Sequence, residues 1–233
     1  MRAVRGVVIA VAILALLAGA LYYVDGRLER RVEADVATEL QRQLGTPAPP
    51  SVDIEGRPFL TQVASRSIST VHVVADQIGA VTEAPLVIAH ADMVLSDVTS
   101  DDWFATMIVS HAAGTARMDY SELQSLGGVP LTYVGDGRVQ IVETATVFGQ
   151  QVEAKITGAP TLDVSEQTIS LNEPSISVAN VTLPEFTAKA LLRALLKPIP
   201  VSGLPLGLKL TSITAMDDGL HAEIAGDNLP ISR

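Results

Sequence analysis

The sequence contains no cysteine. That excludes a disulfide framework, a thiolate metal site and a cysteine nucleophile. Aromatic residues make up only 4% of the 233 positions, so any core must be built mainly from aliphatic and small side chains. Positive charge is also scarce. There are 16 Lys and Arg against 26 Asp and Glu, giving a net charge of −10. Such a chain is a poor partner for nucleic acid, and an acidic membrane surface would attract it only through local patches. The common catalytic signatures are missing too: there is no Gly-x-Ser-x-Gly elbow, no phosphate-binding glycine loop and no His-Glu-x-x-His.

The residues that remain for chemistry are scattered. His72, His90, His111 and His221 are isolated and sit mostly in strand-like patterns. His90 with Asp92, joined across a sheet by His72 or His111, is the one arrangement that could bind a metal; satisfied or solvated histidines are the simpler reading. Asp101-Asp102 and Asp217-Asp218 are adjacent carboxylates. Neighbours on a strand point apart, so these pairs read as turn or cap residues, not an acid–base couple. Asn180-Val181-Thr182 fits a glycosylation sequon, a short match that arises easily by chance. The residues suggest no metal, no cofactor and no enzyme.

What is present begins with an uncharged apolar run over residues 7–24, preceded by Arg2 and Arg5 and followed by Asp25. As a helix it would be about 27 Å long, close to the hydrocarbon thickness of a bilayer. The two arginines place the N-terminus in the cytoplasm. Ala18-Gly19-Ala20 also satisfies a small-x-small cleavage pattern. The expectation is a single N-terminal plasma-membrane anchor with the body on the extracytoplasmic side. The alternative is a secreted or periplasmic body after cleavage. The domain boundaries are then residues 1–26 as signal-anchor or signal peptide, and residues 27–233 as a single α+β domain.

Over residues 27–44, Leu28, Val32, Val36, Leu40 and Leu44 recur at steps of four, which predicts an amphipathic helix stopped by Gly45 and Pro47. Arg27, Arg30 and Arg31 on its other side could lie near lipid phosphates. Beyond residue 63 the period changes to two. Strands are expected over 68–75, 86–95 and 104–113, and several show apolar residues on both faces. That pattern suits a sheet that packs a helix on one side and something greasy on the other. A short helix over 120–126, capped by Ser121, comes next. Asp136-Gly137 then marks a hairpin, 151–157 a strand with one wet face, and 168–171 and 175–183 two strands broken by Pro174. A second helix is expected over 184–196. The chain closes on a hairpin turned by Asp217-Asp218-Gly219.

Between the helical and the strand-rich parts lies Asp53-Ile54-Glu55-Gly56-Arg57-Pro58-Phe59-Leu60-Thr61-Gln62. Gly56 and Pro58 make it a joint, and Phe59 and Leu60 bring two large apolar side chains straight after the bend. Its core, Gly-Arg-Pro-Phe-Leu-Thr-Gln, resembles the signature of the LmeA family of actinobacterial cell-envelope proteins. The closing Gly203-Leu204-Pro205-Leu206 turn, Asp218-Gly219 hairpin and final strand over 220–225 extend the resemblance across most of the chain. Arg57 stands where the family usually has an apolar residue.

The resemblance implies a fold like that of the tubular lipid-binding superfamily: an α+β chain whose strongly twisted antiparallel sheet is wrapped around a long helix. It implies a non-enzymatic phospholipid-binding or lipid-transfer protein with a role in maintaining mannan-containing lipoglycans. Its partners would be a phospholipid ligand, the plasma membrane and envelope glycosyltransferases. The lipid-facing wall is expected from Phe59, Leu60, Trp103, Phe104, Leu191, Leu195, Leu204 and Leu206, with Arg57, Arg66 or Lys209 near head groups. The alternative is a scaffold that binds a membrane glycosyltransferase or another envelope protein, with a closed core. A hydrolase acting on lipoglycans is a weaker third reading.

Overall fold

A computed structural model describes residues 2–81, 85–101, 106–127, 130–147, 150–178, 186–188, 190, 192, 196, 198–201, 204 and 207–232. The side chains of residues 1–22 lie outside that description. The chain opens on one unbroken helix, α1 (Arg2–Leu44), so the boundary expected at residue 26 falls inside a continuous element. Gly45, at φ 64°, ends it in the left-handed region that favours glycine. Among the described residues no helix is long and apolar enough to cross a membrane. Of the apolar run over residues 7–24, only the side chains of Tyr23 and Val24 are described.

The body is built from two antiparallel sheets. The first has six strands in the order β1 (Ser51–Glu55), β2 (Ser67–Val81), β3 (Pro85–Thr99), β4 (Thr106–Met118), β11 (Gly219–Ser232) and β10 (Lys209–Met216). The second has five: β5 (Leu131–Gly135), β6 (Arg138–Val147), β7 (Gln150–Asp163), β8 (Thr168–Val178) and β9 (Ile199–Pro200). Two short helices, α2 (Phe59–Ser65) and α3 (Tyr120–Gly127), accompany the sheets. The α+β class with antiparallel pairing holds. α1 packs against β1, β2 and α2, placing Val32 and Leu40 on the core and Leu44 on Ala75, Ile78 and Ala91.

A shared core joins the sheets. Ile54, Phe59, Val73, Val109, Leu210 and Ile224 from the first sheet and its joint meet Val139 of β6, with Leu162, Ile169 and Leu171 packed alongside. Gln167, in the β7–β8 connection, stitches the sheets together. Its side-chain amide donates to the Leu210 carbonyl at 3.0 Å and accepts the Leu210 N–H at 2.9 Å. In this way it supplies the edge strand β10 with both halves of a backbone-like pair.

The two-faced apolar pattern has a geometric cause. Buried positions in β2 run Ile68, then Val71, Val73 and Ala75, then Ile78; in β3 Ala91, then Val98; in β11 Leu220, Ala222 and Ile224, then Leu229. Even positions give way to odd ones, or the reverse, within single strands. Gln77, Asp97 and Asn228, at φ 53°, 52° and 52°, sit at three of these crossovers. A residue in the left-handed region interrupts the strict alternation of a strand and turns the next side chain to the other face. On β3, paired with Ile78 just past Gln77, Ile88 packs against the same cluster as Ala91 although the two differ in parity. Val94 and Ile108 do remain outside, 40% and 46% exposed.

Other expectations fare unevenly. The Asp136-Gly137 hairpin forms, both residues at positive φ as a two-residue turn of this kind requires. Ala154 and Ile156 are fully buried, as the alternation in 151–157 predicts. Pro174 does not break the strand. β8 runs through it as an irregularity: Thr157 pairs with Ser175 while Ala159 pairs with Asn172. Glu173 takes φ 44° there, and Arg138 donates to the Glu173 carbonyl at 3.1 Å. Ser121 is not the cap of α3; the helix starts at Tyr120, and the Asp119 carbonyl accepts from Glu122 and Leu123. The expected helix over 184–196 lies mostly outside the described residues, of which 186–188, 190 and 192 are helical. The sequon at 180–182 lies outside them too.

Candidate functional site

The signature segment folds into a joint held from a distance. β1 ends at Glu55, Gly56 takes φ 97°, the Arg57–Pro58 peptide is cis, and α2 starts at Phe59. The first amides of a helix have no partner within it. Here Asp25 of α1 supplies one: its two carboxylate oxygens accept the Phe59 N–H at 2.8 Å and the Leu60 N–H at 2.7 Å. One helical turn on, Glu29 lies 3.8 Å from the Arg57 guanidinium, and one turn further Glu33 accepts the Ile54 N–H at 3.0 Å. Steps of four put all three carboxylates on the face of α1 that meets the body. Asp25 and Glu29 are 3% and 7% exposed, a burial that charged groups tolerate only when partnered.

Gln62 closes the joint from the other side. Its amide donates to the carbonyls of Glu55 and Gly56 at 3.1 and 2.6 Å and accepts the Ser69 N–H at 3.0 Å. Glycine is favoured at position 56 by its φ of 97°; a Cβ there would stand 3.0 Å from the Gln62 Nε2 and press on that amide. Arg66 ends α2 at φ 55°, its N–H reaching the Gln62 and Val63 carbonyls. Its guanidinium donates to the Asp101 carbonyl at 2.6 Å and its own carbonyl accepts the Ser100 N–H, which ties the joint to the β3–β4 connection. Most of the signature thus has an assignable role in positioning.

Of the expected lipid-facing residues, Phe59 is 1% exposed and belongs to the packed core. Leu60 is half-buried at the start of α2, and Leu204 is half-buried against the core. Trp103, Phe104, Leu191, Leu195 and Leu206 lie outside the described residues. The structure brings Phe59 and Leu204 to one hydrophobic cluster. Of the expected head-group contacts, Arg57 faces Glu29, Arg66 faces Asp101, and Lys209 is exposed at the start of β10. A shallow hollow of about 120 Å³ is lined by Thr99, Ser100, Asp101, Thr106 and Ile108. These positions flank Trp103 and Phe104 in sequence.

The histidines do not converge. His90 and Asp92 engage different residues: His90 pairs with Asp76 at 2.7 Å and Asp92 with His72 at 2.6 Å. His111 pairs with Asp227 at 2.7 Å, and His221 with Asp218 at 2.8 Å. Among the described residues no group of three or more His, Asp or Glu could hold a metal ion. The hydrogen bond from His221 holds the Asp218 carboxyl below the usual carboxylate range. Tyr120 donates its O–H to the Met216 carbonyl at 2.6 Å, and its hydroxyl is pushed up to about 12, first by burial and then by the charges of Tyr133 and Asp218.

In the sequence Asp25 stands out only as the flank of an apolar run, and no motif marks Glu29 or Glu33. The signal was present: all three share the four-residue step of Leu28, Val32 and Val36, rotated by one position. A comparison with curated proteins and one with solved structures give no match. The model of one protein family, described as LmeA-like phospholipid-binding, matches residues 24–225. That span begins just before Asp25 and ends in β11, taking in the joint, strands of both sheets and the carboxylates that fasten α1 to the joint, so the chain belongs to the LmeA-like phospholipid-binding family.

Proposed function

We propose that this chain is a non-enzymatic lipid-binding or lipid-transfer protein, held at the outer face of the plasma membrane by its N-terminal helix. The family match over residues 24–225 carries the reading. The apolar run over residues 7–24 supports the tether. The aliphatic core shared by two antiparallel sheets supports a body of the tubular lipid-binding kind. Each buried methylene of an acyl chain would contribute about 0.8 kcal/mol, so a two-chain lipid could be held with few polar contacts. In this reading Leu60 and Leu204, with Trp103, Phe104, Leu191, Leu195 and Leu206, form the acyl-chain wall, and the ligand serves the upkeep of envelope lipoglycans.

The test is uptake of a fluorescent phospholipid by the delipidated full chain. Saturable uptake, displaced by unlabelled phospholipid, is expected. One observation favours a second reading, a scaffold for another envelope protein such as a membrane glycosyltransferase. Among the described residues, the hollow beside Ile108 holds about 120 Å³, below the roughly 300–1,000 Å³ of a small-molecule pocket, so it would not by itself take an acyl-chain ligand. No uptake, together with a crosslinked protein partner, would favour the scaffold.

A further inference from the structure

Over residues 25–33, just beyond the apolar run, α1 is divided by charge. Asp25, Glu29 and Glu33 are turned to the body and engaged there. Arg27, Arg30 and Arg31 are exposed on the remaining surface. Beside them stand Tyr23, Val24 and Leu28, which are 61%, 53% and 36% exposed. The Arg27 guanidinium sits 5.1 Å from the centre of the Tyr23 ring, a cation–π contact. A chain of net charge −10 therefore shows three arginines within five positions, next to apolar surface, on the side of the helix away from Asp25, Glu29 and Glu33, with the exposed Asp35 one turn beyond Arg31.

Position along the helix identifies the occupant. α1 is continuous from Arg2 to Leu44. At 1.5 Å per residue, Arg27 lies about 4.5 Å and Arg31 about 10 Å along the axis from Val24. The polar layer of a bilayer leaflet is about 5–7 Å thick. Any membrane that takes up the run over residues 7–24 therefore brings Arg27 into that layer and leaves Arg30 and Arg31, about 9 and 10 Å along the axis from Val24, to reach its phosphates through their long side chains. Long basic side chains over an apolar strip, with an aromatic ring at the boundary, suit that layer.

We propose that the outward face of α1 from Tyr23 to Arg31 is a docking surface for an anionic lipid bilayer. It sets the height and tilt of the body above the membrane, because the opposite face of the same turns is fixed to the signature joint. This rests on the membrane tether proposed above and adds a lipid contact separate from any acyl-chain site. At about fivefold for each arginine near an anionic surface, the three shift the balance of docked over undocked body on the order of a hundredfold.

The absence of native cysteine makes the test clean. The full chain carrying Ala34→Cys, an exposed position one turn beyond Arg30, is labelled with a fluorophore and placed in nanodiscs containing a head-group quencher. The discs hold phosphatidylcholine alone or mixed with phosphatidylglycerol. Quenching that is stronger in anionic discs, and lost both in high salt and in R27Q/R30Q/R31Q, is the expected result. Equal quenching in both kinds of disc, quenching retained by the triple variant, or no association with either disc would overturn the proposal. Phospholipid uptake by the unsubstituted chain, measured alongside, tests the ligand-binding reading separately, and the triple variant should retain it.

Discussion

The Asp25 carboxylate accepts the Phe59 amide at 2.8 Å across 34 positions of sequence. The helix that carries the N-terminal apolar run is thereby fastened to the first turn of a helix in the body. The same carboxylate takes the Leu60 amide, so both of its oxygens are used. Replacing Asp25 by Ala would orphan two buried or half-buried donors, at about 1–3 kcal/mol each. Asp25→Asn keeps one accepting oxygen and should cost less. The urea midpoint of the two variants checks the order. The same logic predicts that a chain trimmed to start at residue 27 is less stable than one starting at residue 23, although both retain every strand.

Two glycines should respond with opposite sign. A Cβ on Gly114 would stand 2.3 Å from the Asp92 carbonyl oxygen and 2.9 Å from the Met93 Cα, so Gly114→Ala forces β3 and β4 apart. The expected loss is about 1–3 kcal/mol or more. Gly26 lies within α1, and a methyl group added there would meet nothing within 4 Å. Gly26→Ala should stabilise by about 0.5–1 kcal/mol through helix propensity alone. Thermal unfolding of both variants tests the pair.

Much of the body could be read from sequence because strand alternation is local. Val71, Val73 and Ala75, or Leu220, Ala222 and Ile224, announce their buried face without any knowledge of neighbours. The joint could not be read fully because its partners are distant. Gly56 and Pro58 mark a bend, but nothing nearby says that Asp25 will cap the helix beyond it. α2 is only seven residues long, too short for periodicity to reveal. The crossovers at Gln77, Asp97 and Asn228 depend on single backbone angles, so an interior that changes side looked like strands with two greasy faces. The histidines illustrate the same limit. His90 and Asp92 are neighbours by spacing, yet each finds its partner on β2.

Phe59 and Leu60 separate core from candidate wall. Phe59 is 1% exposed, so Phe59→Ala should cost about 3–5 kcal/mol of stability whether or not lipid is bound. Leu60 is only half-buried, and Leu60→Ser should cost less stability. If Leu60 contacts the ligand, that variant binds phospholipid more weakly while its unfolding midpoint barely moves. Comparing lipid affinity with denaturation for the two variants decides it.

Tyr120 gives the fold an alkaline limit. Its hydroxyl is pushed up to about 12 in the folded chain. A raised folded value means the native state holds its proton longer than the unfolded state. The associated stability is intact below about pH 10, the ordinary tyrosine value, and is lost as pH rises through the folded one. Stability should therefore decline between those limits. Tyr120→Phe should flatten that decline, and ultraviolet titration of the phenolates should show one fewer late-ionising group.

The most direct test of phospholipid binding is mass spectrometry of the full chain, purified in mild detergent and then denatured in organic solvent. The proposal predicts phospholipid released in near-stoichiometric amount from the native protein, and less from a Leu60→Ser or Leu204→Ser variant. Protein free of lipid, which also takes up none when phospholipid is offered, would contradict it.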